Sequence, residues 1–176
     1  MYDIFTDKDD YIRNKKPFVG QLPFNMEETY GWAQYMDMMD SHPEKLYDRN
    51  SDKFRIGLNQ FHTRGSSPEF AKNIYSEMNE VFSLHEGKIT NIAFSGFGRD
   101  SGSYPWHCDG MDVFLVQVIS TVGFKLEGYN NNEVFDFKPG MYAYIPRGTH
   151  HQVFPRISRV SFSFGVEGGP DPSLYY

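Results

Sequence analysis

Cysteine is nearly absent from this chain. Cys108 is the only one in 176 residues, so no disulfide can form within it, and the composition fits a reducing, cytoplasmic setting. Long apolar runs are missing too. The longest weakly polar stretch runs from Val113 to Phe124 and contains Gln117, Ser120 and Thr121. A membrane-spanning helix needs about 20 apolar residues, so this stretch reads as a strand and no membrane partner is expected. The start does not read as a secretory leader, because Met1 to Asp10 carries Asp3, Asp7, Asp9 and Asp10 and no apolar core. Basic residues are in deficit, with 17 Lys and Arg against 23 Asp and Glu, a net charge of −6 and a pI of 5.5. A nucleic-acid surface leaves a basic footprint, so no nucleic-acid partner is expected. Internal repeats, low-complexity tracts and long linkers are also missing.

Aromatic residues are plentiful, at 16 Phe and 12 Tyr. Such a content suits a β-rich core with a ring-lined cleft and excludes a disordered chain. A chain of this length buries about 70% of its unfolded surface, enough to fold without a disulfide or structural metal. One domain over 1–176 is expected. It divides into a helical and loop part over 1–88, a barrel core over 89–166 and a tail over 167–176.

In the first part, Asn25 and Glu28 form a capping box for a helix from Met26 to Asp40. Ser67-Pro68-Glu69 starts a second helix, with Ser67 as cap. Gly87 is its stop signal. The period then changes. Strands are expected at Ile89–Phe97, Val113–Ile119, Phe124–Glu127, Glu133–Phe137, Met141–Ile145, Val153–Phe154 and Arg159–Val166. A turn at Tyr129-Asn130-Asn131-Asn132 joins the third and fourth. Many short strands with a helical layer predict a mainly β sandwich or barrel.

The sharpest chemical signal is Trp106-His107-Cys108-Asp109-Gly110. Residues two apart on an extended segment share a side, so His107 and Asp109 present an imidazole and a carboxylate together. A third ligand is available from His150 or His151, in Tyr144-Ile145-Pro146-Arg147-Gly148-Thr149-His150-His151-Gln152. Two His and one carboxylate on one face leave coordination positions open, as in non-haem Fe(II) oxygenases. Cys108 falls on the opposite side and reads as a small packing residue. His42, His62 and His85 have no companion motif. Gly96 to Gly102 lacks the spacing of a dinucleotide loop and reads as a rim of the pocket. Arg64 to Ser67 reads as a connector.

The run His107-Cys108-Asp109-Gly110-Met111-Asp112-Val113-Phe114-Leu115-Val116-Gln117 resembles the JmjC-type cupin oxygenases, most of all their ribosomal oxygenase branch. Tyr144 to Gln152 is similar to that branch's distal motif, and Lys15-Lys16-Pro17-Phe18-Val19 to the run that opens such domains. The resemblance implies a double-stranded β-helix (cupin or jelly-roll) barrel with helices packed on it from the N-terminal half. It implies Fe(II) at His107, Asp109 and His151, 2-oxoglutarate as co-substrate, and hydroxylation of a C–H bond, commonly on a protein side chain. His150 then reads as a solvent-facing neighbour.

Asn91 and Ser163 match polar positions near the co-substrate in that branch. Two positions depart from it. The Lys or Arg that pairs with the distal carboxylate of 2-oxoglutarate is Val122 here, and an assisting Tyr is Ala93. Lys125 belongs to the opposite strand face from Val122. Arg159 and Ser161 share a face of the last strand and offer a substitute, since an Arg fork binds a carboxylate through two bonds and a hydroxyl adds a third. The chain ends soon after Val166, so the dimerisation segments of larger ribosomal oxygenases are not carried over. Two other readings stay open: a metal cupin that does not use 2-oxoglutarate, such as another dioxygenase or an isomerase, and a non-catalytic ligand- or peptide-binding module. The substrate class is a protein or a small molecule.

Overall fold

The computed structural model describes residues 2–42, 46–47, 55–61, 65–83 and 88–167. In chain order the elements are α1 (Asp9–Arg13), β1 (Phe18–Gln21), α2 (Met26–Thr29), α3 (Trp32–Ser41), β2 (Leu46–Tyr47), β3 (Arg55–Asn59) and α4 (Glu69–Ser83). There follow β4 (Lys88–Gly96), β5 (Asp112–Ile119), β6 (Val122–Leu126), β7 (Phe135–Phe137), β8 (Met141–Ile145), β9 (His151–Phe154) and β10 (Arg159–Glu167). A seven-stranded sheet runs β1-β8-β5-β10-β4-β3-β2, and a three-stranded sheet runs β7-β6-β9. Every pairing is antiparallel. Two facing antiparallel sheets with helices on the outer side of the larger one make the expected mainly β, cupin-type jelly roll.

Strand β5 shows why the arrangement is stable. All of its residues are buried, because it lies inside the large sheet and both its faces are covered. Phe114, Val116 and Val118 join the core beneath the helices. Val113 and Leu115 join a second core between the sheets, with Val122, Phe124, Leu126 and Phe137. On β10 the alternation is the same. Val160, Phe162 and Phe164 face the helices. Arg159, Ser161 and Ser163 therefore face the barrel interior. Phe162 is fully buried, with ring centroids 4.5 Å from Phe61 and 5.7 Å from Phe70. Burying one such ring is worth about 1.5–3 kcal/mol.

Strands β4 to β10 match the expected segments to within a few residues. The Asn130–Asn132 turn has three residues at positive φ, of the type that tolerates it best, and joins β6 to β7 as a hairpin. The first part departs from expectation. It contributes β1, β2 and β3 to the large sheet and is not helices and loops alone. The helix predicted over Met26 to Asp40 is two helices. Tyr30 is extended (φ −149°, ψ 132°), and its buried ring packs 5.6 Å from Phe70 and 5.9 Å from Phe162. Core burial of that ring breaks the helix, which restarts where the Gly31 N–H donates to Gln34 Oε1 at 3.1 Å. Asn25 does cap α2, accepting from the Glu27 N–H at 3.1 Å, without a reciprocal bond from Glu28. The Ser67 hydroxyl makes no capping bond. The α4 amides of Ala71 and Lys72 bond to the Pro68 carbonyl instead. His42 is buried with Nε2 2.8 Å from the Asn59 carbonyl, a satisfied histidine. His62, Arg64, His85, Gly87 and the tail beyond 167 lie outside the described residues. No helix among the described residues is long and apolar enough to cross a membrane.

Candidate metal centre

The site is built where the small sheet ends. His107 joins β9 through one antiparallel bridge to His151, with His151 N–H to the His107 carbonyl at 2.8 Å and His107 N–H to the His151 carbonyl at 3.2 Å. Directly opposed residues in such a pair point their side chains to the same face. The two imidazoles therefore lie side by side, with ring centroids 4.4 Å apart. Asp109, two residues on, turns to the same side. Its carbonyl accepts from the Gly148 N–H at 3.1 Å, which ties the loop carrying His107 and Asp109 to the loop before His151. Gly148 makes that turn at φ +79°, a conformation a side chain would strain.

The Nε2 of His107 is 3.8 Å from Asp109 Oδ1, and the Nε2 of His151 is 3.6 Å from Asp109 Oδ2. One donor atom from each of the three residues lies within 4.8 Å of the others. Each Nδ1 faces a backbone carbonyl two residues upstream, His107 on Pro105 at 2.8 Å and His151 on Thr149 at 3.3 Å. A carbonyl only accepts, so each neutral ring carries its proton on Nδ1 and presents the Nε2 lone pair to the centre. That is the outer-shell arrangement that orients metal-binding histidines. Burial holds the His151 imidazole below the ordinary histidine value, while the Asp109 carboxylate pulls the other way. The donor set thus fits a divalent metal with one face open.

That face looks into a cleft of about 150 Å³. This is below the roughly 300–1,000 Å³ typical of drug-sized ligands and suits a small acid. Arg159, Ser161 and Ser163 all line it, with Tyr104 and Phe94. The fork of Arg159 is held by the loop before His107: Nη1 donates to Ser101 Oγ at 2.7 Å, and Nη2 donates to the Gly102 carbonyl. The Gly96 to Gly102 segment is therefore a brace for the guanidinium as well as a rim. Ser161 differs from expectation. Gln117 Nε2 donates to the Ile119 and Ser120 carbonyls, so its Oε1 is the atom facing Ser161, and the Ser161 hydroxyl donates to it at 2.6 Å. In this arrangement the Ser161 proton is engaged with Gln117.

Asn91 is also separated from the others. It borders a hollow that Asp109 and Ser163 line as well. In register, however, it opposes Phe164, and it shares the face of Ile89 and Ala93 beneath the helices. Val122 is fully buried in the inner core. Lys125 points the other way, as its spacing requires, and sits 4.7 Å over the Trp106 ring on the outer face. His150 is outside too, with Nδ1 3.0 Å from Glu127 Oε2. The His150 backbone N–H, and then its ring, hold the Glu127 carboxyl below the ordinary value. Cys108 is half-buried and free. Sequence reasoning missed the brace by Ser101 and Gly102 and the outer stacking of Trp106. The positive φ of Gly98 and Gly102 is the local signal for the first.

No family model and no curated protein match the sequence. Solved structures do. The ribosomal oxygenase YcfD from Escherichia coli matches at a TM-score of 0.60 and 15% identity, over 94% of this chain and 53% of that one. The same protein in complex with cobalt and 2-oxoglutarate matches at 0.60 and 15% identity, over 99% of this chain and 55% of that one. Its complex with cobalt and succinic acid matches at 0.58 and 15%, over 99% and 55%. This chain spans about half the length of that oxygenase. The resemblance read from the sequence holds at the level of the fold, which this chain shares with the ribosomal oxygenase YcfD.

Proposed function

We propose that the chain is an Fe(II)- and 2-oxoglutarate-dependent oxygenase that hydroxylates a C–H bond, with a protein side chain or a small molecule as substrate. The carrying observation is the convergence of His107 Nε2, His151 Nε2 and the Asp109 carboxylate within 4.8 Å, on a small cleft that Arg159 also lines. Iron bound there supplies the means to activate dioxygen. The overall reaction consumes 2-oxoglutarate, dioxygen and R–H, and yields succinate, carbon dioxide and R–OH. The chain's own contribution is positional. His107 and His151 hold their lone pairs inward, and Asp109 supplies the negative charge. Arg159, braced by Ser101 and Gly102, offers a fixed cation for the far carboxylate. Phe94 and Tyr104 keep the mouth apolar. The single cysteine and acidic balance fit a cytoplasmic enzyme.

The test is iron-dependent consumption of 2-oxoglutarate with formation of succinate. It is expected in the wild type and lost in Asp109→Ala and His151→Ala. Absence of both turnover and 2-oxoglutarate affinity in iron-loaded wild type contradicts the proposal. One observation favours a second reading, a metal cupin without this co-substrate: Val122 leaves an apolar side chain where the related branch carries a cation. Metal affinity without 2-oxoglutarate affinity supports that reading.

A further inference from the structure

The segment carrying His107 is attached to the small sheet by a single bridge. One residue pair fixes the separation of two strands but constrains their relative twist poorly. Any rotation of the 106–107 segment swings the His107 Nε2 away from His151 and Asp109. A second contact exists on the opposite face. Trp106 and His150 each precede a ligand histidine by one residue, so they project outward where His107 and His151 project inward. Their rings stack, 5.7 Å apart and 18° from parallel. The Lys125 ammonium covers the Trp106 ring at 4.7 Å. The Glu127 carboxylate accepts from the His150 N–H at 2.9 Å and meets its ring at 3.0 Å, and the Glu127 N–H returns a bond to the His150 carbonyl at 2.9 Å.

From this we infer that Trp106, with Lys125, His150 and Glu127, is an outer clamp that sets the angle between the two ligand histidines. Trp106 and Lys125 are positioning residues for the metal and touch neither it nor the substrate. The inference rests on the metal reading proposed above. Lys125 and Glu127 belong to β6 and the residue after it, and Lys125 opposes Gln152 of β9. The clamp thereby ties the ligand-bearing loop to the paired strands of the small sheet. Trp106 is 39% exposed, so its truncation opens no core cavity.

The test is cobalt titration of the full chain followed by its visible spectrum, with cobalt alone as the probe. In Trp106→Ala the cobalt affinity is expected to fall about tenfold, at the lower end of the effect of residues that orient metal ligands. The ligand-field bands change shape, and the thermal midpoint of the metal-free protein stays near wild type. Trp106→Phe keeps a ring over His150 and beneath Lys125, and it recovers most of the affinity. Lys125→Met shows a smaller loss in the same direction, and it carries the test alone if Trp106→Ala does not fold. Wild-type affinity and spectrum in these variants overturn the clamp. If wild type takes up no cobalt, or Asp109→Ala binds it equally well, the metal reading falls and the clamp with it. If Asp109→Ala abolishes binding while Trp106→Ala and Lys125→Met leave it unchanged, only the clamp falls.

Discussion

Gly96→Ala is a small change aimed at the proposed co-substrate anchor. A methyl at Gly96 lies 2.5 Å from Arg159 Nη1, 2.6 Å from Ser101 Oγ and 2.9 Å from Arg159 Cζ. Ordinary contact needs about 3.5 Å, so the guanidinium must move by about 1 Å. It is the far end of a flexible side chain, so it yields before the backbone does. The move stretches the 2.7 Å bond to Ser101 beyond hydrogen-bond range. A hydrogen bond to a charged group is worth about 1.5–3 kcal/mol, which bounds the loss of stability. For a chain of this size that is a fall in Tm of about 3–10 °C. A displaced fork also loses one such bond to the far carboxylate, which weakens 2-oxoglutarate by about 10–150-fold. Cobalt affinity stays unchanged, because the ligand triad lies on other elements. Calorimetric titration of the metal-free variant with cobalt, and then of the cobalt-loaded variant with 2-oxoglutarate, reads both. Wild-type 2-oxoglutarate affinity in Gly96→Ala refutes the assignment of Arg159 as the anchor.

Two further predictions concern stability. Asp112 is buried and accepts from Lys15 Nζ at 2.5 Å, Tyr144 Oη at 3.0 Å and the Arg147 N–H at 2.8 Å. Asp112→Ala strands these donors, two of them at least partly buried, and is expected to cost about 2–4 kcal/mol in urea unfolding. A cost below about 0.5 kcal/mol contradicts that role. Phe162→Ala empties the centre of the aromatic core under the helices and is expected to cost about 3–5 kcal/mol by the same measurement. A near-neutral result means the helices do not depend on that ring.

The second half was legible because its physics is local. The alternation of Arg159, Ser161 and Ser163 with Val160, Phe162 and Phe164 sets the two faces of β10 directly. The His107-x-Asp109 spacing sets two donors on one side in the same way. The first half was less legible because tertiary burial overrode local preference. Tyr30 sits inside a good helical pattern, and its ring leaves the helix for the core. Phe18 and Val19 become an edge strand only because β8 lies ready to pair with them. At the site, type and spacing located Arg159 and Ser161, but spacing does not say where a proton points. The engagement of Ser161 with Gln117 depends on two backbone carbonyls that orient the amide. Asn91 matched in type, and its register opposite Phe164 sets its side chain on the face of Ile89 and Ala93 while it still borders the hollow lined by Asp109 and Ser163.

In the proposed function one triad binds iron and the adjoining cleft binds 2-oxoglutarate. Anaerobic titration of the metal-free protein with Fe(II) and then 2-oxoglutarate tests it most directly, by the weak visible charge-transfer band of the chelated complex. A band is expected in the wild type, and it is expected to disappear in His107→Ala. Iron bound with no band on adding 2-oxoglutarate contradicts it.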